Sequence, residues 1–204
     1  MLILGSHSFY YPNVARQIRE LLPDRSGKML LIGLAMEEGM AAKRLKREVN
    51  AAVMTDFEED NITVFDERSP ESALQQDYDY IVVLGGNTFR LLFFVRKFGL
   101  DDFIRKQLAN GAHYLGFSAG AYLACPDVEY VIGLDDNNRI VDGNFKAMGL
   151  IQDYLLCHFE EDDRHDTRKL VAIRRQLGDD ATVHPIRMEE LLVLKNTEMN
   201  KQLV

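Results

Sequence analysis

The stretch YLGFSAGAYLA, residues 114–124, decides how the rest of the chain is read. Its first half is apolar and strand-like, and its second half is built of small, helix-compatible residues. Ser118 stands at the join, with a glycine two positions away on either side. Gly116-Phe117-Ser118-Ala119-Gly120 satisfies G-x-S-x-G, the pattern of a nucleophile held on a sharp strand-to-helix turn. That turn strains the backbone at the nucleophile, so the residues flanking it must be small. The N–H of the next residue, Ala119, then faces the oxygen that becomes negative during attack. The same five residues also fit a plain close-packed joint between a strand and a helix. The surrounding sequence chooses between the two.

Working outward, strand and helix signals alternate. MLIL reads as a short strand, NVARQIRELL as an amphipathic helix, and KMLLIGLA as the continuous apolar run of a central parallel strand. A helix is expected over 38–57, then the strand NITVFD and an acidic, polar loop. The apolar, β-branched YDYIVVLGG stops at paired glycines. Two helical segments follow, NTFRLLFFVRKFG and DDFIRKQLANG, each closed by glycine. AHYLGF then runs straight into Ser118. Beyond residue 125 the pattern turns irregular until the apolar DYLLCHF, a charged helix at about 164–177, and a tail of one or two closing strands. This alternation predicts an α/β fold in residues 1–204 as one domain, with a mostly parallel central sheet and helices on both faces. Open sheets of that kind place ligands at the carboxyl ends of their strands.

Several residues gather at that edge. Gly85 and Gly86 end the strand IVVL, where backbone N–H groups can approach a ligand, so Gly86 is a second candidate oxyanion donor beside Ala119. Asn87 follows as a helix N-cap, a role that does not compete with donation by Gly86. A serine hydroxyl needs a base. His158, at the end of an apolar strand downstream of Ser118, is the first choice. His7, just after the first strand, is a lesser candidate for the same edge. His113 begins the strand that carries the serine and belongs at the opposite edge, while His165 and His184 read as solvated surface. A carboxylate should orient the imidazole. Asp135, Asp136 and Glu129 all lie between serine and histidine, and spacing does not separate them; Asp135 is preferred. HFEEDDRH, residues 158–165, invites a metal reading, but its acids read better as a solvated loop and helix N-terminus. No metal and no cofactor is called for.

Taken together, GGNTFRLL, FGLDDFIRKQLANGAHYLGFSAGAYLACPDVEY and MGLIQDYLLCHF resemble peptidase family S51, the dipeptidase E (α-aspartyl dipeptidase) and cyanophycinase group. The resemblance is strong over roughly residues 79–159 and elsewhere follows only the general layout. It implies a class I glutamine amidotransferase-like, flavodoxin-like three-layer sandwich in which serine replaces the cysteine nucleophile. It also implies Ser118 as nucleophile, His158 as general base, Asp135 as third member, and Gly86 and Ala119 as the oxyanion hole. Small peptides, Asp-X dipeptides among them, are the implied substrates, with monomer or homodimer as the implied assembly. Cys157 stands where the family usually has proline. Selecting an N-terminal aspartate needs a cation; Arg90, with Asn87 beside it, and Arg164 are placed for it by position. An amidase or esterase, or a catalytically silent small-molecule-binding protein, would use the same fold and crevice.

The bulk composition narrows the class. Hydrophobic residues make up 47% of the 204 residues and charged ones 27%, as in ordinary globular proteins. Thirty-two acidic against 24 basic residues, net −8, argue against a nucleic-acid partner, which needs a clustered basic surface. No apolar run approaches a membrane span, and the N-terminus lacks the basic start and long apolar run of a signal peptide. With two cysteines read as free thiols, a cytoplasmic location is the expectation.

Overall fold

The computed structural model describes residues 1–134, 143–195 and 201–203. Seven strands form the main sheet: β1 (Leu2–Gly5), β2 (Met29–Ile32), β3 (Ile62–Val64), β4 (Tyr80–Val83), β5 (His113–Phe117), β8 (Leu191–Leu194) and β9 (Lys201–Leu203). Their order is β3-β2-β4-β5-β1-β8-β9. The five strands from β3 to β1 are parallel, while β8 and β9 close the sheet antiparallel. A strand buried on both faces must be apolar throughout, which is why MLLI and YIVV read as unbroken runs.

Side chains alternate strictly between two cores. Leu30, Ile32, Ile81, Val83 and Tyr114 point to one face. Met29, Leu31, Tyr80, Val82 and Leu115 point to the other. The first face is covered from α4 (Thr88–Lys97), α5 (Leu100–Ala109), α6 (Ala119–Tyr122) and α7 (Arg164–Leu177). The second is covered from α1 (Pro12–Leu21) and α2 (Glu38–Met54), through residues such as Val14, Ile18, Ala51 and Ala52. The result is the expected α/β three-layer arrangement. β5, which carries Ser118 at its carboxyl end, is the middle strand of the seven.

Three details differ from the sequence reading. The helix α2 stops at Met54 rather than 57, because Asp56 turns back at φ 69° and the Thr55 hydroxyl caps the Ala51 carbonyl. The acidic loop contains a five-residue helix, α3 (Pro70–Leu74), too short to show a helical period. The strand ending near His158, β6 (Tyr154–Leu156), joins no part of the main sheet. It pairs in parallel with β7 (Val183–Pro185) in a separate two-stranded sheet. The place it would take beside β1 is occupied by β8. An apolar run marks burial, not the choice of partner strand.

Candidate active site

Ser118 sits between β5 and α6 at φ 53°, ψ −111°, a region that non-glycine residues rarely enter. Its backbone is held from both sides. The Ser118 N–H donates to the Gly5 carbonyl at 2.8 Å, and its own carbonyl accepts from Ala121 (2.8 Å) and Tyr122 (3.0 Å). The flanking glycines are required by contact. A Cβ on Gly116 would stand 2.5 Å from the Gly120 carbonyl oxygen, and one on Gly120 would stand 2.1 Å from that of Val83. Gly86 has φ 152°, and a Cβ there would meet the Ala35 carbonyl oxygen at 2.3 Å. Among the described residues, neither the Gly86 nor the Ala119 N–H has an acceptor.

His158 reaches Ser118 from the two-stranded sheet. Its Nε2 lies 3.0 Å from Ser118 Oγ, so with Nδ1 protonated the ring can accept the hydroxyl proton. The loop carrying it is stapled to the main sheet. The His158 N–H donates to Ser6 Oγ (2.8 Å), whose hydroxyl donates to the Ile186 carbonyl (2.9 Å). The Cys157 N–H donates to the Tyr122 hydroxyl at 3.0 Å. Ser6 and Tyr122, both buried, are thus the supports of the histidine, and no sequence pattern distinguished them. Burial, reinforced by His7 and Lys169, pushes the His158 pKa down to about 4, against an upward pull from Asp166. His158 is therefore neutral at physiological pH. Burial also pushes the Cys125 and Cys157 thiols up to about 12, so neither competes as a nucleophile.

The other site residues read from the sequence fall as follows. Asp135 and Asp136 lie outside the described residues. Glu129 is exposed at the start of the 3-10 segment Glu129–Leu134. Among the described residues, no carboxylate hydrogen-bonds the His158 ring. Asp166, on α7, lines a cavity of about 220 Å³ together with Ser118, His158 and Lys169. It accepts from the Glu160 N–H (2.9 Å) and pairs with Lys169 at 3.7 Å. The sequence placed it on a solvated helix and gave no sign of this inward position. Asn87 caps α4 by accepting the Arg90 N–H at 2.8 Å. The Arg90 side chain donates to the Met36 carbonyl (3.0 Å), lies over the Phe94 ring, and lines a neighbouring cavity that does not include Ser118. His7 does reach the site, its ring 5.0 Å from that of His158. His113 sits at the far end of β5 beside the Met1 amine. His184 is not solvated surface: it lies in β7, half-buried and paired with Asp153 at 2.7 Å. In the acidic run after His158, Asp163 caps α7. Among the described residues no cluster of His, Cys, Asp and Glu is placed to hold a metal.

A three-layer α/β fold with a strained serine at its central strand end, bonded to a histidine, defines a nucleophile-elbow site of the serine-hydrolase kind. A family model for peptidase family S51 matches residues 1–202, and the chain belongs to that family. An uncharacterised peptidase of Listeria monocytogenes, Lmo0363, is 30% identical over 123 residues, 59% of this chain and 58% of its own length. Peptidase E of Salmonella arizonae is 40% identical over 92 residues, 45% of this chain and 38% of its own. The chain thus spans less than two thirds of the length of these curated relatives. A crystal structure of a candidate peptidase E protein from Listeria monocytogenes EGD-e superposes with a TM-score of 0.78 at 25% identity, covering 100% of this chain and 98% of that one. No helix among the described residues is long and apolar enough to cross a membrane.

Proposed function

We propose that this protein is a serine peptidase acting on small peptides, Asp-X dipeptides among them. Ser118 Oγ attacks the scissile carbonyl while His158 Nε2 takes its proton, and the N–H groups of Gly86 and Ala119 receive the oxyanion. The tetrahedral adduct collapses as His158 returns the proton to the leaving amine. Water then repeats the sequence on the acyl-enzyme and frees Ser118. Asp135, the family-matched acid, orients His158 through Nδ1. The observation that carries this reading is the 3.0 Å Ser118–His158 contact on a strained elbow. Family membership and the peptidase E names of the relatives support the peptide substrate.

The test is hydrolysis of a dipeptide panel that includes Asp-X members, by wild type and Ser118→Ala, with fluorophosphonate labelling alongside. Wild type should cleave at least one dipeptide and label at Ser118. Ser118→Ala should lose about 10⁴-fold or more in rate with an unchanged melting temperature. Wild-type turnover by Ser118→Ala would remove Ser118 as nucleophile. Labelling without cleavage of any dipeptide would favour an amidase or esterase instead.

A further inference from the structure

A second cavity, of about 330 Å³, opens on the other side of Ser118, toward α2 and the end of β1. Its walls include His7, Arg44, Arg47, Glu48, Ser118 and His158. The three charged residues come from one face of α2, at the i, i+3 and i+4 spacing. Arg47 is committed: it bonds Glu48 at 3.1 Å and lies over the Tyr10 ring at 4.2 Å. Glu48 is committed too, accepting from Arg47 and from the Ser8 hydroxyl. Arg44, half-buried, makes no ion pair or hydrogen bond among the described residues. Two arginines against one glutamate leave the cavity net positive, in a chain whose total charge is −8.

His7 adds direction to that charge. Its ring is clamped flat on Tyr11, with centroids 3.7 Å apart and an interplanar angle of 11°. Its Nδ1 is buried without a hydrogen-bond partner among the described residues. A buried N–H with no acceptor is rarer and costlier than a bare lone pair, so the proton belongs on Nε2. Burial also lowers the His7 pKa, with Glu48 and Glu189 opposing, which keeps the ring neutral. Nε2–H is then a donor with no acceptor among the described residues.

We propose that Arg44 and His7 form a carboxylate-binding subsite beside Ser118, with Arg44 supplying the charge and His7 Nε2–H the directed hydrogen bond. The assignment rests on the peptidase reading for its natural ligand, which is a substrate carboxylate from either an acidic side chain or the peptide's C-terminus. It places specificity on α2 and the β1 end, rather than on Arg90 or Arg164.

Succinate serves as the probe, a dicarboxylate with nothing to hydrolyse. It should slow fluorophosphonate labelling of Ser118 in wild type. In Arg44→Leu its half-protecting concentration should rise about 10- to 100-fold, the range of a lost charge-assisted contact. His7→Phe keeps the stack on Tyr11 and removes the donor, and should raise it about 3- to 10-fold. Arg44 makes no hydrogen bond or ion pair among the described residues, so Arg44→Leu should melt with wild type. Comparing Asp-Leu, Asn-Leu and Asp-Leu-amide then names the source. Arg44→Leu should erase the preference for Asp-Leu over Asn-Leu if the side chain is bound, or over the amide if the C-terminus is bound. Absence of succinate protection in wild type, or protection that survives Arg44→Leu unchanged, overturns the subsite. Failure to cleave any dipeptide would sink the peptidase reading alone, because the labelling arm needs no turnover.

Discussion

Gly120→Ala tests whether the elbow is as tight as its contacts imply. The added Cβ would stand 2.1 Å from the Val83 carbonyl oxygen and 2.8 Å from its carbonyl carbon. Neither atom can retreat, because β4 is paired on both edges, with β2 and with β5. The short helix α6 must therefore lift from the sheet by about 1 Å to restore an ordinary contact. Overpacking of this kind costs about 1–3 kcal/mol. For a chain of this size that corresponds to a fall in melting temperature of about 2–12 °C. The larger effect should fall on chemistry. Ser118 immediately precedes α6, and its carbonyl is bonded to Ala121 and Tyr122, so lifting the helix moves Ser118 away from His158. A displacement near 1 Å costs about 100-fold in rate. Melting followed by circular dichroism, with fluorophosphonate labelling of Ser118, reads both quantities. A Gly120→Ala protein that melts and labels like wild type would refute the close-contact reasoning.

Gly39, in the first turn of α2, has open space where its Cβ would be, so Gly39→Ala should raise stability by about 0.4–1 kcal/mol without changing labelling. Iodoacetamide at pH 8 should modify neither Cys125 nor Cys157 in the native protein and both after denaturation; rapid native reaction at Cys157 would contradict its burial. The base must be neutral to work, so the labelling rate should fall as pH drops through the His158 pKa. In wild type the midpoint should lie near the burial-lowered value of about 4, and in Asp135→Asn below it, because a carboxylate at Nδ1 favours the imidazolium. Equal midpoints would remove Asp135 from the triad.

Much of the molecule was legible because its signals are local. The apolar runs MLLI and YIVV read as strands buried on both faces, and the charged helix expected at 164–177 is α7 at Arg164–Leu177. Gly116 and Gly120 announced the clearance that their contacts with neighbouring carbonyls demand. His158 stood out by lying at the end of an apolar strand. Each of these follows from the chemistry of a few adjacent residues, which periodicity and composition record directly.

What tertiary structure decided is everything that joins distant segments. β6 belongs to a separate two-stranded sheet, because strand pairing depends on which edge is free and not on how apolar the strand is. Ser6 holds His158 across 152 positions of the chain, and Asp166 turns inward from a helix that reads as solvated. Arg90, placed near the nucleophile by sequence, is spent on the Met36 carbonyl, while Arg44 on a different helix lines the cavity beside Ser118. The sequence by itself determined the layered fold and the strand-to-helix turn that carries Ser118, since both are written in short-range pattern. The side chains around Ser118 were chosen by packing, which brings together residues that share no pattern at all.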